Sequence, residues 1–419
     1  MINLKVMIQI DGEEILAGTI SGKSNNDAVF EYDESYISQF PAISISLPTG
    51  QKSFSVNQTR NFFEGLLPEG FTKRSVARNI KVDEDDYLSI LSVLGKECIG
   101  AIRIISDDED IKSSYKEVSL DEMKALAEEG ATKSSKIVTE AHLSLTGATG
   151  KVGLYYHNNK WYLPKGLNPS THIVKQSHVR LDDIVINERL CMMTAEKLGI
   201  DVPENFIIDT GSKTDDRIMY ATKRYDREID GKDKRKMPIP KRLHQEDFAQ
   251  ALGIGALDKY ELENSNYIER IFKLISQNFK NPIDAQRKLW KRIVFNYLIG
   301  NTDGHIKNIS LVYSKDLKAV SLAPAYDIVS TDVYDEYTKM AFNIGGEKDI
   351  TKIKRKSFEQ AAKDAAIGVG IAMDMLDEMC EAFPKALREA AKELKDEGFE
   401  NAAKISRKIL NKKRYIIGR

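Results

Sequence analysis

The stretch NTDGHIKNIS, residues 301–310, places Asp303, His305, Lys307 and Asn308 within six positions, directly after the apolar run IVFNYLIG (293–300). Asp303 and Asn308 stand five residues apart with no acidic residue between them. A carboxylate and an amide so spaced on a short loop have a joint use in phosphoryl transfer. The carboxylate can orient and deprotonate a hydroxyl nucleophile while the amide oxygen reaches Mg²⁺. A decapeptide of this kind is, by itself, also an ordinary solvated turn behind a buried helix, so the remaining parts of such a site must be sought elsewhere.

Phosphoryl transfer also requires a phosphate cradle, a cation on the phosphates and a second metal ligand. SLTGATGK (144–151) puts Gly147 and Gly150 between strand-like runs, where backbone N–H groups of Gly147, Ala148, Thr149 and Gly150 can approach phosphate oxygens, with Lys151 beside them. It is not a Walker A loop: the glycine spacing is too short, and Val152 stands where Ser or Thr is required. Lys175 ends the strand-like THIVK and can pair with nucleotide phosphates; Glu188, opening the next helix, is its expected ion-pair partner. RYDR (224–227) would carry the chain between lobes, with Tyr225 against an adenine ring. Asp327, in APAYDIVST, follows an apolar run 24 residues past Asp303, the order of the later metal-binding Asp of protein kinases but without the D-F-G tripeptide. His305 reads as a loop-ordering hydrogen bonder, since the six histidines are scattered and no H-E-x-x-H occurs. No G-x-S-x-G elbow is present, which removes nucleophilic hydrolase chemistry. Each part has a bland counterpart: a hairpin turn, a solvated lysine, a glutamate favoured by the helix dipole, a packed tyrosine. Together and in this order they point to a phosphotransferase.

The elements that must hold these residues begin with the short strand-like runs LKVMIQI, AVFEY and AISISLP. FFEGLLPEG (62–70) and YLSILSVLGKECIGAI (87–102) read as helical apolar faces ending at glycines. The polar stretch 106–117 suggests a boundary, and SLDE (119–122) is a capping box opening a helix to about Gly130. HNNK is a hairpin turn between KVGLYY and WYLP; NERLCMMTAEKLGI (187–200) is a helix closed by Gly199; NFIIDT and RIMYATKRYDR form a further strand pair. From QEDFAQALG onward the pattern is mainly helical, apart from 300–345. The expected fold class is α+β: a protein-kinase-like, two-lobed fold, with a small antiparallel-sheet lobe, a mainly helical lobe and an extra amino-terminal α/β subdomain. The expected divisions are 1–110, 111–240 for the N-lobe with its phosphate loop, and 241–419 for the helical C-lobe.

Composition sets the class around the site. Of 419 residues, 42% are hydrophobic and 30% charged, ordinary for a soluble globular protein. A formal net charge of −1 gives no global argument for nucleic-acid or membrane binding. Three cysteines, Cys98, Cys191 and Cys380, lie far apart and suit free thiols in a reducing compartment. The alternating start MINLKVMIQIDGEE lacks a signal-peptide pattern, and no apolar run approaches a membrane span, so a cytoplasmic protein without a membrane partner is expected.

The sequence resembles the HipA-type serine/threonine kinases, toxins of bacterial HipBA toxin–antitoxin systems, over nearly its whole length. FFEGLLPEG and LGKECIGAI resemble the amino-terminal HipA domain; SLTGATGKVGL, STHIVK, RYDR, RLHQEDFAQALG, NTDGHIKN and PAYDIVS resemble the kinase core, in order. The resemblance implies Asp303 as catalytic base, Asn308 and Asp327 as Mg²⁺ ligands, and Lys175 and Lys151 on the ATP phosphates. Lys223, Tyr225, His305 and Lys307 complete the expected nucleotide-site residues. It further implies Ser144 as an autophosphorylation serine whose added charge would expel the phosphate loop. The implied partners are a HipB-like helix-turn-helix antitoxin, a protein substrate of the aminoacyl-tRNA synthetase class, and DNA through the antitoxin complex. Thr149 stands where many members carry Gln, Lys223 where an acidic residue often precedes the hinge Arg, and His244 where Pro is usual, the last expected to act only locally on the backbone. Two other readings remain: a small-molecule or lipid-type kinase, and a corepressor acting through an antitoxin. For the latter, residues 401–419 offer seven Lys/Arg and no Asp/Glu.

Overall fold

The amino-terminal sheet grows from a hairpin. In the computed structural model, which describes residues 2–106, 112–141 (131–141 as backbone only), 150–178, 180–229, 237–335 and 337–418, β1 (Ile2–Ile10) and β2 (Glu13–Gly22) pair antiparallel across Asp11 and Gly12. Both turn residues have positive φ, 52° and 93°, as a tight hairpin turn demands. With β3 (Val29–Tyr32) and β4 (Ile102–Ser106) they form the sheet β3-β2-β1-β4, in which Leu4, Val6, Ile8 and Ile10 alternate into the core. The helices alongside are α1 (Glu34–Ile37), α2 (Val56–Phe63), α3 (Gly70–Ile80) and α4 (Tyr87–Leu94).

Three local expectations are corrected. The run 87–102 is not one helix: α4 ends at Gly95, where a Cβ would come within 2.6 Å of Ile104 Cβ, and Ile102 already belongs to β4. FFEGLLPEG is the end of α2, a single 3₁₀ turn over Glu64–Leu66 and, beyond Pro68, the start of α3. AISISLP forms a turn closed by a Ser44–Leu47 bridge, because its polar groups serve a distant carboxylate. Glu246 accepts from Ser44 Oγ at 2.5 Å, Ile45 N at 3.1 Å and Tyr313 Oη at 2.5 Å. His244 beside it is not a local backbone matter. Its ring is fully buried, lies 2.7 Å through Nε2 from Ile43 O and stacks on Tyr313 at 4.9 Å. Burial lowers its pKa to about 4, so the ring is neutral and Nε2–H donates.

The second sheet has the order β5-β7-β6-β8-β10-β9, from β5 (Ser114–Val118), β6 (Lys151–His157), β7 (Lys160–Lys165), β8 (His172–Gln176), β9 (Asn205–Asp209) and β10 (Ile218–Lys223). The HNNK hairpin is present, with Asn158 and Asn159 at φ 50° and 60°. α5 (Leu120–Ala141) opens on the Ser119–Glu122 capping box and breaks at Gly130, φ 54° and ψ −130°. α6 (Ile184–Lys197) ends at Gly199, φ 70°. After the short α7 (Phe248–Ala251), the helical elements are α8 (Tyr267–Asn278), α9 (Pro282–Ile299), α10 (Arg355–Asp364), α11 (Val369–Asp396) and α12 (Asn401–Asn411). Among the described residues the three cysteines are free and buried, and no helix is long and apolar enough to cross a membrane.

The chain forms two compact units, one of Met1–His178, Ile208–Ala256 and Leu311–Val320, the other of Val179–Ile207, Leu257–Ser310 and Ser321–Arg419. In the first unit, a buried charge network joins the amino-terminal segment to RYDR. Glu97 Oε1 accepts from Arg224 Nη1 at 2.9 Å and Arg227 Nη2 at 3.0 Å, and Oε2 from Arg242 Nη2 at 2.7 Å. Asp226 pairs with Arg224 at 2.8 Å and Arg227 at 2.9 Å and also accepts from Gly100 N at 2.7 Å. Burial opposes ionisation of Glu97, but Arg227, Arg242 and Arg224 outweigh it and hold the carboxyl down at about 2. In the second unit, α11 packs against α6, α9 and α12.

Candidate active site

α9 stops at Gly300, which takes the left-handed conformation (φ 77°) that only glycine adopts without cost. The loop beyond it is braced by two asparagines. Asn301 N donates to Asn296 O at 2.8 Å, Asn301 Nδ2 donates to Asn296 Oδ1 at 3.1 Å, and Asn301 Oδ1 accepts from Asp303 N at 3.1 Å. Gly304 passes so close that a Cβ would lie 2.7 Å from Asn296 Nδ2. The Asp303 carbonyl accepts from His305 N at 2.8 Å and from Asn308 Nδ2 at 3.0 Å, so these ties run through the Asp303 backbone. Across 301–310, Asp303 is exposed, Asn308 is half-buried and every other residue is buried. An exposed carboxylate on a loop otherwise turned inward is the arrangement a base needs to meet a hydroxyl from outside.

Asp327 lies on the segment after β-strand Val320–Leu322 and is half-buried. Its φ of 56° is left-handed, a conformation that costs a non-glycine residue about 1 kcal/mol and that Asp tolerates better than most. The neighbours hold it there. Tyr326 Oη donates to Lys307 O at 2.9 Å, Ala325 N donates to Asp201 O at 2.7 Å, and the Arg292 guanidinium donates to Ala323 O. Asn308 and Asp327 line one small pocket together with Asn296, Asn301 and Gly304. One amide oxygen and one carboxylate fit Mg²⁺, which takes one or two carboxylates and fills its octahedron with phosphate oxygens and water. Among the described residues no three His, Cys, Asp or Glu gather as a self-sufficient metal cage.

The other residues singled out by sequence fall as follows. Lys151 and Lys175 are directly opposed across β6 and β8, both buried, and the Lys175 ammonium lies 5.6 Å from the Tyr220 ring centroid. Two ammonium groups opposed on one sheet face can together meet an anion such as a phosphate. Gly150 O accepts from Gln176 N at 3.4 Å; Ser144, Gly147, Ala148 and Thr149 lie outside the described residues. Lys223 is exposed at the end of β10, and the half-buried Tyr225 donates its hydroxyl to the Gln245 side chain. Glu188 is buried and, because α6 starts at Ile184, sits in its second turn rather than opening it. His305 and Lys307 are buried in the loop itself.

Several site residues carry no local sequence signal. The Tyr260 hydroxyl donates to Asp303 Oδ1, and its ring meets His305 edge-on at 5.3 Å. Asp332 N donates to Gly300 O at 3.1 Å, and the Asp332 carboxylate is held by the buried Arg414 guanidinium. Lys412 adds pairs with Asp335 at 2.8 Å and Asp332 at 3.5 Å, and Lys408 donates to Val333 O at 3.2 Å. Three of the seven cations of 401–419 are thus directed at the 331–335 segment.

The family described as the HipA-like C-terminal domain matches residues 143–387, and the HipA N-terminal domain matches residues 8–105. The chain belongs to the HipA family. Among HipA relatives, a "Putative kinase Y4mE" of Sinorhizobium fredii is 28% identical over 393 residues, covering 90% of each chain. The "Serine/threonine-protein kinase toxin HipA" of Shewanella oneidensis is 25% identical over 352 residues, covering 80% of this chain and 77% of that one. The solved complex of Shewanella oneidensis HipA with HipB and operator DNA superposes with a TM-score of 0.79 at 22% identity, over 98% of this chain and 96% of that one. The HipA fold, α+β and protein-kinase-like, is therefore the fold of this chain.

Proposed function

We propose that this HipA-family chain is an ATP- and Mg²⁺-dependent serine/threonine protein kinase, the toxin of a toxin–antitoxin pair. The observation that carries this reading is the exposed Asp303 carboxylate on an otherwise buried loop whose Asn308 shares a pocket with Asp327. In this assignment Asp303 takes the proton of the acceptor hydroxyl, and Asn308 and Asp327 hold the metal. Lys151 and Lys175 meet the phosphates, and Tyr225 and Lys223 flank the base and ribose. Mg²⁺ would neutralise the charge building on the transferred phosphoryl group. The divisions 1–110, 111–240 and 241–419 would be the HipA amino-terminal part, the N-lobe and the C-lobe of a cytoplasmic enzyme. The substrate class is a translation component of the aminoacyl-tRNA synthetase kind. The partner is a HipB-like helix-turn-helix antitoxin, with DNA contact through that complex. Support for this partner comes from the Shewanella oneidensis relative, which was solved together with HipB and its operator DNA.

Incubation with radiolabelled ATP followed by mass spectrometry tests the central claim: label is expected on Ser144. Label confined to other serines would remove the Ser144 mechanism while leaving the kinase. Absence of any protein label, with phosphate appearing on a small acceptor, would favour the small-molecule kinase. Asp327→Asn, which keeps the tolerance for left-handed backbone and removes the charge, is expected to abolish most of the rise in melting temperature that Mg·ATP produces. An undiminished rise would place the metal elsewhere.

A further inference from the structure

Tyr260 sits on a segment that is anchored on both sides. Glu261, buried, accepts from Tyr267 N at 2.7 Å and from Asn343 N at 2.5 Å, and Glu261 N donates to Ala341 O at 2.8 Å. Asp258 O accepts from Tyr267 Oη at 2.7 Å. Between these anchors the Tyr260 side chain is 44% exposed, with its ring edge-on to buried His305 and its hydroxyl donating to Asp303 Oδ1. An exposed tyrosine gains little by burial, so the fixed geometry of 258–261 is what aims the hydroxyl at the carboxylate.

We propose that Tyr260 is a specificity-determining residue that occupies the acceptor position. Its hydroxyl stands where a substrate serine or threonine hydroxyl would stand before attack, donating to the same carboxylate oxygen. An acceptor reaches Asp303 by displacing it, and water, which offers no compensating contacts, displaces it poorly. The enzyme thereby limits wasteful ATP hydrolysis and selects acceptors whose flanking residues bind well enough to move the tyrosine. This inference rests on Asp303 being the base.

The test uses the full chain with Mg·ATP and water as the only added acceptor, measuring ADP production. Tyr260→Phe keeps the ring on His305 and leaves a hydroxyl-sized space at the carboxylate. Loss of one hydrogen bond to a charged group predicts a rise of about tenfold in kcat for ADP production. KM for ATP is expected to stay within about twofold, a split that a merely structural role of the tyrosine would not produce. In the Asp303→Asn background the same substitution is expected to bring no rise. An unchanged or lower rate in Tyr260→Phe overturns the proposal, as does a rise that persists without the Asp303 carboxylate. Undiminished phosphorylation by Asp303→Asn alone would instead overturn the assignment of the base, whatever Tyr260 does.

Discussion

Asp303→Asn is expected to slow phosphoryl transfer by roughly 10²–10⁴-fold, the usual contribution of a positioned general base. The ties through the loop backbone should survive the change. His305 N and Asn308 Nδ2 bind the Asp303 backbone carbonyl rather than its side chain, and an asparagine Oδ1 can still accept from Tyr260. Mg·ATP should therefore raise the melting temperature of the variant as it does that of the parent chain. Single-turnover transfer of label from ATP to a protein acceptor is the measurement. A residual rate within tenfold of the parent would mean that another group accepts the proton.

Removing the charge of Glu97 is expected to have the largest effect on stability. In Glu97→Gln, Arg224, Arg227 and Arg242 remain buried, and among the described residues Asp226 is the carboxylate left paired with Arg224 and Arg227. Breaking a buried ion pair from one side costs about 3–5 kcal/mol, because the stranded charges have lost their water as well as their partner. Denaturant unfolding should show this as an earlier first transition. Because Arg242 holds one carboxylate oxygen while Arg224 and Arg227 share the other, Arg242→Met should recover part of the loss, a non-additivity a double-mutant cycle reads directly. Additive effects would mean that the guanidinium groups do not depend on Glu97. The pH dependence has a definite sign. The Glu97 carboxyl is lowered from an ordinary 4.5 to about 2, so its contribution is complete above about pH 4.5 and is lost as pH falls toward 2. In Glu97→Gln that acid limb should shrink.

Turn chemistry was the most legible part of the fold because it depends on neighbours in sequence. Asn158–Asn159, the Ser119–Glu122 box, Gly130 and Gly199 each do in the structure what their residue types require. The closeness of Asp303 and Asn308 was legible for the same reason: the two are joined through the backbone of the loop they share. What could not be read locally depends on partners far along the chain. AISISLP looks like a strand until Glu246 claims Ser44 and Ile45, and GKECIG looks like a helix tail until three arginines claim Glu97. His244 looked like a change of backbone preference, and its ring turned out to join Ile43 to Tyr313. Tyr260 sits in a polar, turn-rich stretch with no periodicity, so nothing in its neighbourhood announces Asp303 as its partner.

The Arg414–Asp332 pair sets an order of events during synthesis. The loop that carries Asp303 is closed at Gly300 by Asp332, and Asp332 is held by an arginine made roughly 110 residues after Asp303. At about 5–20 residues per second, translation leaves an interval of roughly 6–22 s in which Asp303 has been polymerised and its clamp has not. A ribosome that stalls, or a message cut, between residues 327 and 414 releases a chain with the proposed base, the proposed metal ligands and no latch. Such fragments carry every residue proposed for the chemistry yet lack the tie that holds Asp332, so a truncated product is expected to be a poor kinase.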